Sequence, residues 1–298
     1  MSMPVETIMG QLSVVSSQLS ADEESLTDAG FFWREKNGLK VLVCRTLEAA
    51  GFVNGFSTRL GGVSEFPENS LNLAGFDEDS AENIYENRQR FLSVFGGDLS
   101  LATVWQVHGH TIKSVASQDD VRNSEERADA LMSDLDDILV GVKTADCVPV
   151  LIGDPKKEAF AAVHAGWRGT VQSIATKAVK KLTETFRSDP SDLICAIGPA
   201  ASGRNYEIGK EVIEAFGNNL GADSKKYFST TREGHALVDL QLANRDHLIS
   251  SGVVAENIFT APFCTMERPD LFFSYRLEKI KYGKTGRLLS VIGLKAGS

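Results

Sequence analysis

Hydrophobic and polar positions along the chain follow two different periods. Residues 31–44 (FFWREKNGLKVLVC) carry apolar stretches on both sides of Asn37-Gly38, a dipeptide typical of a two-residue hairpin turn, and predict two paired strands. Residues 80–97 place apolar side chains at helical spacing before a Gly-Gly stop and predict an amphipathic helix. The helical pattern is clearest over residues 170–186, with apolar positions at Val171, Ile174, Ala175, Ala178, Val179, Leu182 and Phe186.

Short, nearly continuous apolar runs predict further strands. The segment LATVWQVHGHTIKSV, residues 101–115, is interpreted as a strand pair with His108 near its bend. Additional strands are predicted within residues 129–132, 137–154, 158–166, 193–200 and 287–294.

Helical and extended segments mix without a regular βαβ alternation, and no Pro- or Ser-rich linker divides the chain. We therefore predict a fold of the α+β class, a single domain of mixed β-sheets with helices packed on the outside. This domain is expected to span residues 31–298, and residues 1–30 are expected to form a poorly ordered or peripheral segment.

Composition narrows the possible classes of protein. Of the 298 residues, 42% are hydrophobic and 24% are charged, which is typical of soluble globular proteins, and no apolar run is long enough to span a membrane. The first thirty residues contain no Lys or Arg, which argues against a secretory signal and favours a cytoplasmic protein. The net charge of -9 disfavours nucleic acid as a partner, although a local basic pocket could still bind a small anion. Four cysteines without a CxxC motif favour free thiols.

Three residues that suit a soft metal ion stand at strand-to-loop transitions: His108 in WQVHG, Cys147 in TADCVP and His164 in VHAGWRG. Their wide spacing excludes a zinc finger, so the fold would have to assemble the site. Two imidazoles and one thiolate leave a fourth position open, as in catalytic zinc sites, and the same set also suits copper. The alternative is structural, because a Cys beside Val and Pro is often a small core residue.

The segment after His164 favours an anion site. His164 is placed just before the predicted helix, with Thr170 as its N-cap, and free N–H groups at a helix start attract anions. Arg168 offers a fork of donors suited to phosphate or carboxylate. In the alternative interpretation, Trp167 fills the core and Arg168 forms an ion pair with a neighbouring strand.

Nine motifs appear in a fixed order after about residue 40. They are GFSTRLGGVS (55–64), LNLAGF (71–76), WQVHG (105–109), ADAL (128–131), TADCVPV (144–150), AAVHAGWRG (161–169), IGPAASGRNYEIG (197–209), FCT (263–265) and FFSYR with TGR (272–287). In these motifs the chain resembles the YfiH-like family, whose members are labelled laccase-domain or polyphenol oxidase proteins and are also described as purine nucleoside phosphorylases.

The resemblance implies a single α+β domain with zinc held by His108, Cys147 and His164. It also implies phosphorolysis of adenosine, inosine and methylthioadenosine, with some deamination of adenosine. Arg59 corresponds to the family's site arginine and would meet phosphate or the purine nucleoside. The chain departs from the family after Arg276, where LEKIKYGK forms a longer basic loop (277–284).

The expected catalytic residues are Arg59, Cys147 and Arg168. The two arginines would neutralise phosphate, and zinc would lower the pKa of a bound water for deamination. Asp146 is interpreted as a proton acceptor or as a support for the site. Strand alternation would point it away from the face of Cys147, which favours the supporting or structural role. His110 is a weaker acid or base. Five aromatic residues near these motifs could stack on a purine or could instead belong to the hydrophobic core. They are Trp105, Trp167, Phe272, Phe273 and Tyr275.

Three other functions stay open. A copper-containing polyphenol oxidase is one, although the five histidines of the chain are too few for a blue copper site and a trinuclear cluster together. The resemblance also implies an amidase that edits peptidoglycan precursors, which could use the zinc-bound water, or Cys147 as a nucleophile with a histidine base. A structural zinc in a binding module would normally have four ligands. The protein is expected to act on small molecules as a monomer or homodimer.

Overall fold

The computed structural model describes residues 24–66, 68–74 and 79–294. Two mixed six-stranded sheets form its centre. Sheet 1 has the strand order β1-β2-β3-β15-β7-β4. Its strands are β1 (Phe31–Lys36), β2 (Leu39–Cys44), β3 (Phe52–Ser57), β4 (Ser100–Ala102), β7 (Ile138–Thr144) and β15 (Leu288–Leu294).

Sheet 2 has the strand order β14-β10-β8-β9-β6-β5. Its strands are β5 (Ile112–Ser114), β6 (Ala130–Ser133), β8 (Val148–Asp154), β9 (Ala159–Ala165), β10 (Ile194–Ile197) and β14 (Ile258–Thr260). A small third sheet has the order β11-β13-β12, with β11 at Glu207–Gly209, β12 at Phe228–Arg232 and β13 at His235–Val238.

Helices surround the two large sheets. They are α1 (Arg45–Ala49), α2 (Ala81–Ser93), α3 (Gln118–Arg122), α4 (Trp167–Val171), α5 (Ile174–Phe186), α6 (Lys210–Leu220), α7 (Leu240–Ser250) and α8 (Tyr275–Tyr282). Short 3-10 turns cover Pro190–Asp192, Ala222–Tyr227 and Ala255–Asn257. The mixed α+β fold predicted from the sequence is confirmed.

The strand period of two separates three layers of core. Along β2, Leu42 points into the core between the two sheets, whereas Val41 points to the outer core covered by α2. Along β9, Phe160 joins the central core and Val163 joins the core beneath α5, α6 and α7. Every residue of β7 except Lys143, and every residue of β8 and β9, is buried, as their continuous apolar sequences predicted.

Local signals placed the first hairpin and the second helix correctly. Asn37 and Gly38 both adopt positive φ (53° and 80°), as a tight turn between β1 and β2 requires. In α2, the Ser80 side chain accepts a hydrogen bond from the backbone N–H of Asn83, which satisfies one free donor at the start of the helix.

The prediction of a strand pair over residues 101–115 is wrong. β4 pairs with β7 in sheet 1, whereas β5 pairs with β6 in sheet 2, so this segment crosses from one sheet to the other. The chain crosses again between β7 and β8. The reason is tertiary, because pairing partners supplied by distant strands outweigh the local pattern.

The single helix predicted after Thr170 is also corrected. The helical residues form two elements, α4 and α5, separated at Ser173, whose φ of 56° is left-handed. Thr170 lies inside α4 rather than at a cap, and its hydroxyl accepts a hydrogen bond from Asn244 of α7 at 2.9 Å. The strong helix therefore does not begin beside His164.

Most of the predicted N-terminal segment, residues 1–23, lies outside the described residues. Leu26 is described and packs into the core between the sheets. All four cysteines are free, as predicted. Among the described helices, none has the length and apolar character needed to cross a membrane.

Candidate metal centre

The two crossings between the sheets carry two of the three predicted metal ligands. His108 lies between β4 and β5, and Cys147 lies between β7 and β8. His164 is the penultimate residue of β9, opposite Pro149 of β8. Cys147 comes two residues before Pro149, in the short connection that leads into β8. The sheet register therefore brings these side chains to one edge of sheet 2.

The three side chains converge as the sequence predicted. Their ligand atoms lie within 4.8 Å of one another, and the two imidazole rings meet edge to face with centroids 4.9 Å apart. Zinc bonds to nitrogen and sulfur are about 2.0–2.3 Å long, so small side-chain adjustments let one ion contact all three. Within the described residues, this is the one group of His, Cys, Asp or Glu that meets such a criterion.

Asp129, to which the sequence analysis gave no role, organises the cluster. Its carboxylate lies 2.9 Å from Nδ1 of His164 and accepts hydrogen bonds from the backbone N–H groups of His108 (2.9 Å) and Gly109 (2.6 Å). Its carbonyl oxygen accepts from the His164 N–H at 2.8 Å. A carboxylate on Nδ1 leaves Nε2 of His164 for a metal ion, as in the carboxylate-histidine-zinc arrangement. One buried side chain thus orients two of the three ligands.

Electrostatics prepare the thiol for metal binding. Burial would raise the pKa of Cys147, but the charge on His164 and hydrogen bonds from both imidazoles outweigh burial and lower the pKa to about 6. Burial would likewise lower the pKa of His164, but the Cys147 thiolate and Asp129 raise it to about 9. The cluster therefore favours a thiolate, which is the form of cysteine that binds metals.

Backbone geometry keeps space for an ion. A Cβ at Gly166 would lie 3.1 Å from Sγ of Cys147 and 3.2 Å from Cδ2 of His108, so any larger residue would crowd the ligands. His108 itself has a φ of 57°, a left-handed conformation that is uncommon for a non-glycine residue. The donor set, the supporting carboxylate and this free space all fit a bound metal ion.

Gln106 holds the loop that carries His108. Its side-chain amide donates to the carbonyl oxygen of Lys143 at 2.7 Å and accepts from the Lys143 N–H at 2.8 Å. This pair of bonds imitates a strand partner along β7. The His108 crossing is thereby fixed to sheet 1 just before the Cys147 crossing begins.

The three ligands open into a cavity of about 700 Å³, a volume typical of small-molecule sites. Its aromatic lining residues are Trp105, Trp167, Tyr206 and Tyr275. Its cationic lining residues are Arg88, Lys143, Arg168, Arg276 and Arg287, and its acidic ones are Glu125 and Asp146. The cavity therefore has a surplus of positive charge although the whole chain is acidic.

Asp146 links the metal centre to the C-terminal part of the chain. Its carboxylate accepts hydrogen bonds from the hydroxyls of Thr265 (2.7 Å) and Ser274 (3.0 Å) and from the N–H of Arg276 (2.7 Å). Burial raises the pKa of this carboxyl despite these donors. Residues 145–147 lie between strands, and the φ of Asp146 is 82°, so strand alternation does not set its direction.

The structure places the predicted arginines differently. Arg168 lines the cavity, and its guanidinium lies over the Trp167 ring at 4.2 Å from the centroid. Arg59 is not among the lining residues, because its guanidinium bonds to the carboxylate of Glu278 at 2.7 Å. A direct contact between Arg59 and a ligand in the cavity is therefore not supported by this arrangement.

Of the remaining candidate residues, some line the cavity and others do not. Phe272 and Phe273 are fully buried core residues and do not line the cavity, whereas Trp105 and Tyr275 are about half exposed at its wall. His110 is exposed and absent from the lining. Tyr206, which the sequence analysis did not single out, lines the cavity beside Arg276, whose guanidinium lies 4.9 Å from the centre of its ring. Its position within the motif IGPAASGRNYEIG was the available signal.

The fold and the site define a class: a single mixed α+β fold with a candidate metal centre of two histidines and one cysteine, set at the junction of two sheets. The chain belongs to the multi-copper polyphenol oxidoreductase laccase family, whose sequence profile matches residues 53–295.

Relatives of this family are similar over most of their length. The purine nucleoside phosphorylase YlmD of Bacillus subtilis (strain 168) is 33% identical over 250 residues, covering 82% of this chain and 88% of that protein. The purine nucleoside phosphorylase YfiH of Shigella flexneri is 36% identical, covering 80% of this chain and 92% of that protein. The crystal structure of YlmD from Geobacillus stearothermophilus matches with a TM-score of 0.81 and 31% identity, over 89% of this chain and 99% of that one.

Proposed function

We propose that this protein is a zinc-dependent purine nucleoside phosphorylase that accepts adenosine, inosine and methylthioadenosine and also deaminates adenosine. The observation that carries the proposal is the position of the His108, Cys147 and His164 cluster at a cavity with a surplus of cationic side chains. The names of the similar proteins from Bacillus subtilis and Shigella flexneri support an enzyme of this kind.

His108, Cys147 and His164 would hold the zinc ion, and Asp129 would fix the orientation of His164. When bound, zinc supplies Lewis-acid chemistry that stabilises developing negative charge on oxygen. In phosphorolysis, a phosphate oxygen forms a bond to the anomeric carbon of ribose while the bond to the purine nitrogen breaks, and the purine leaves with that electron pair. The protein's task is to hold phosphate and nucleoside in this alignment.

Arg168 and Arg276 are suited to hold the phosphate. Both line the cavity, and each guanidinium lies over an aromatic ring, Trp167 for Arg168 and Tyr206 for Arg276. Arg276 is further fixed by a hydrogen bond from its Nη1 to the carbonyl oxygen of Glu207 at 2.9 Å. Guanidinium groups held in this way bind phosphate through paired N–H donors with little further loss of freedom.

The aromatic wall is suited to the purine. Trp105 and Tyr275 are 47% and 48% exposed, so each has free ring surface at the cavity. A purine stacked on such a ring buries apolar area without needing a specific charge. This tolerance agrees with acceptance of several purine nucleosides.

The decisive experiment combines metal analysis with product detection. We expect the purified protein to contain zinc and to convert adenosine into adenine and ribose 1-phosphate only when phosphate is present. Chelation should abolish the reaction, and added Zn²⁺ should restore it. His164→Ala should be inactive, whereas His235→Ala, which changes a histidine outside the cluster, should keep full activity. Zinc-loaded protein that leaves adenosine unchanged would refute the proposal.

A copper polyphenol oxidase is the second candidate, favoured by the description of the matching family. The same experiment separates the two functions when a diphenol is added as a substrate. Copper in the purified protein, together with oxygen consumption on the diphenol that is lost in Cys147→Ser, would favour the oxidase.

A further inference from the structure

Helix α8 brings two cavity residues to the wall of the site while touching the protein body very little. Tyr275 and Arg276, the first two residues of α8, line the cavity. Within α8 only Glu278 is buried. The later residues are exposed, with Ile280 at 84%, although the Tyr282 ring meets the Phe66 ring edge to face with centroids 5.3 Å apart. The helix therefore depends on a few specific contacts for its position.

The first contact is at the start of the helix. The carboxylate of Asp146 accepts hydrogen bonds from the Ser274 hydroxyl and the Arg276 N–H. The Ser274 side chain in turn accepts from the Leu277 N–H as an N-cap. Asp146 is next to the ligand Cys147, so changes at Asp146 would also disturb the metal centre.

The second contact is Arg59, on the loop after β3. Its Nη1 lies 2.7 Å from the carboxylate of Glu278, 2.9 Å from the carbonyl oxygen of Pro269 and 3.3 Å from that of Phe272. Its guanidinium also lies 4.6 Å from the ring centre of Phe273. One arginine thus contacts both the segment before α8 and the buried residue of α8.

Glu278 completes this anchor. The side chains of Arg59 and Glu278 are 13% and 8% exposed, and the hydroxyl of Thr285 donates a hydrogen bond to the second carboxylate oxygen. This ion pair is well buried, and both partners make further hydrogen bonds. It therefore fixes the relative position of its two side chains much more firmly than a surface pair would.

We propose that Arg59 is a positioning residue, which acts through Glu278 to hold α8 so that Tyr275 and Arg276 stay at the wall of the cavity. This inference rests on the proposed function for its kinetic readout. It replaces the expectation that Arg59 itself meets phosphate. Nη1 of Arg59 is taken up by three protein oxygen atoms, and the effect of Arg59 on the substrate passes through the residues that α8 carries.

Glu278→Gln distinguishes direct phosphate binding by Arg59 from positioning of α8, because the two roles predict opposite changes in the KM for phosphate. If Arg59 bound phosphate directly, removing the negative charge of Glu278 would release Arg59 and would lower the KM for phosphate or leave it unchanged. If Arg59 positions α8, Glu278→Gln loosens the anchor. The KM values for phosphate and nucleoside should then rise roughly tenfold, with a smaller change in kcat, since slight misplacement of binding groups has large effects.

Arg59→Met should reproduce the effect of Glu278→Gln, and the double variant should add little, because both changes break one anchor. Arg59→Lys should give an intermediate KM, since it keeps the charge but loses the fork of donors. Arg34→Met is the matched control, because Arg34 of β1 pairs with Glu48 of α1 and neither residue lines the cavity. Its KM values should equal those of the wild type.

Hydrogen exchange provides a readout that does not depend on catalysis. The amides of residues 275–278 should exchange faster in Arg59→Met and Glu278→Gln, whereas zinc content should be unchanged. Unchanged exchange in both variants, or a lower phosphate KM in Glu278→Gln, would overturn the positioning role. If the wild type lacks phosphorolysis, the proposed function fails separately, and exchange together with calorimetric binding of inosine decides the role of Arg59.

Discussion

Two buried ion pairs of this protein differ in what they leave available to a ligand. Asp129 and His164 are almost completely buried, yet the other side of His164 faces Cys147 and the cavity. Arg59 and Glu278 are nearly as buried, but Nη1 of Arg59 and the carboxylate of Glu278 contact each other, two backbone carbonyls and Thr285. Burial and charge alone therefore do not identify a reacting group. What distinguishes the two pairs is that His164 lines the cavity, whereas Arg59 and Glu278 do not.

The first region is the Asp129 and His164 pair with the metal ligands beside it. The largest effect is expected when one of these ligands is removed. Cys147→Ser should abolish zinc retention and phosphorolysis, because hydroxyl replaces the thiolate in a set of three ligands. Elemental analysis of the purified variant measures this loss. The melting temperature should change little, since a chain of this length folds around its core without a metal. Cys264→Ser, a buried thiol outside the cluster, should retain zinc.

Asp129→Asn tests the carboxylate behind the ligands. We expect zinc affinity to fall by roughly 10–100-fold, the range found when a hydrogen-bond partner of a metal-binding histidine is lost. Competition with a chelator of known affinity measures the change. Asp154→Asn is a suitable control, because Asp154 is equally buried, lies on β8 outside the cluster and accepts hydrogen bonds from the N–H groups of Lys156 and Lys157. Equal zinc affinity in both variants would show that Asp129 does not strengthen metal binding.

In the second region, around Arg59 and Glu278, the variant Glu278→Gln should have a lower free energy of unfolding but an unchanged zinc content. The expected loss is roughly 1–3 kcal/mol, because Arg59 would keep its burial without a full charge partner. Urea denaturation measures this free energy of unfolding, and elemental analysis of the same sample should give a wild-type zinc content. Loss of zinc would mean that the two regions are coupled.

Gly166→Ala is the mildest test of the first region. The added Cβ would lie close to Cys147 and His108, so zinc affinity should fall by a few-fold while the free energy of unfolding stays within about 1 kcal/mol of the wild type. Gly209→Ala is the matched control, because a Cβ there meets no heavy atom within 4 Å. Unchanged zinc affinity in Gly166→Ala would show that the ligands have more room than their spacing implies.

Local patterns were sufficient for much of the fold. The Asn37-Gly38 turn and α2 depend on nearby residues, and both were predicted correctly. The path of residues 101–115 was not, because its two strands pair with partners in different sheets. No local period distinguishes a hairpin from two strands of separate sheets.

The site, like the fold, could be predicted only in part from the sequence. His108, Cys147 and His164 were predicted from their chemistry and from the order of the motifs, and they do converge. Asp129 was missed because its role arises from register: it precedes β6, whose pairing with β9 sets it opposite His164. The partner of Arg59 could not be foreseen either, since Glu278 lies 219 residues further along the chain.

The crossing that carries Cys147 has one more consequence. Only residues 145–147 join the end of β7 to the start of β8, while packed sheets lie about 10 Å apart. The four steps from the Cα of Thr144 to that of Val148 reach at most about 14 Å, so the connection has few alternative paths. The position of the Cys147 sulfur is therefore set by the spacing of the two sheets and not by a flexible loop. Lengthening this link by a single glycine would give the thiol a freedom of movement that the present chain denies it.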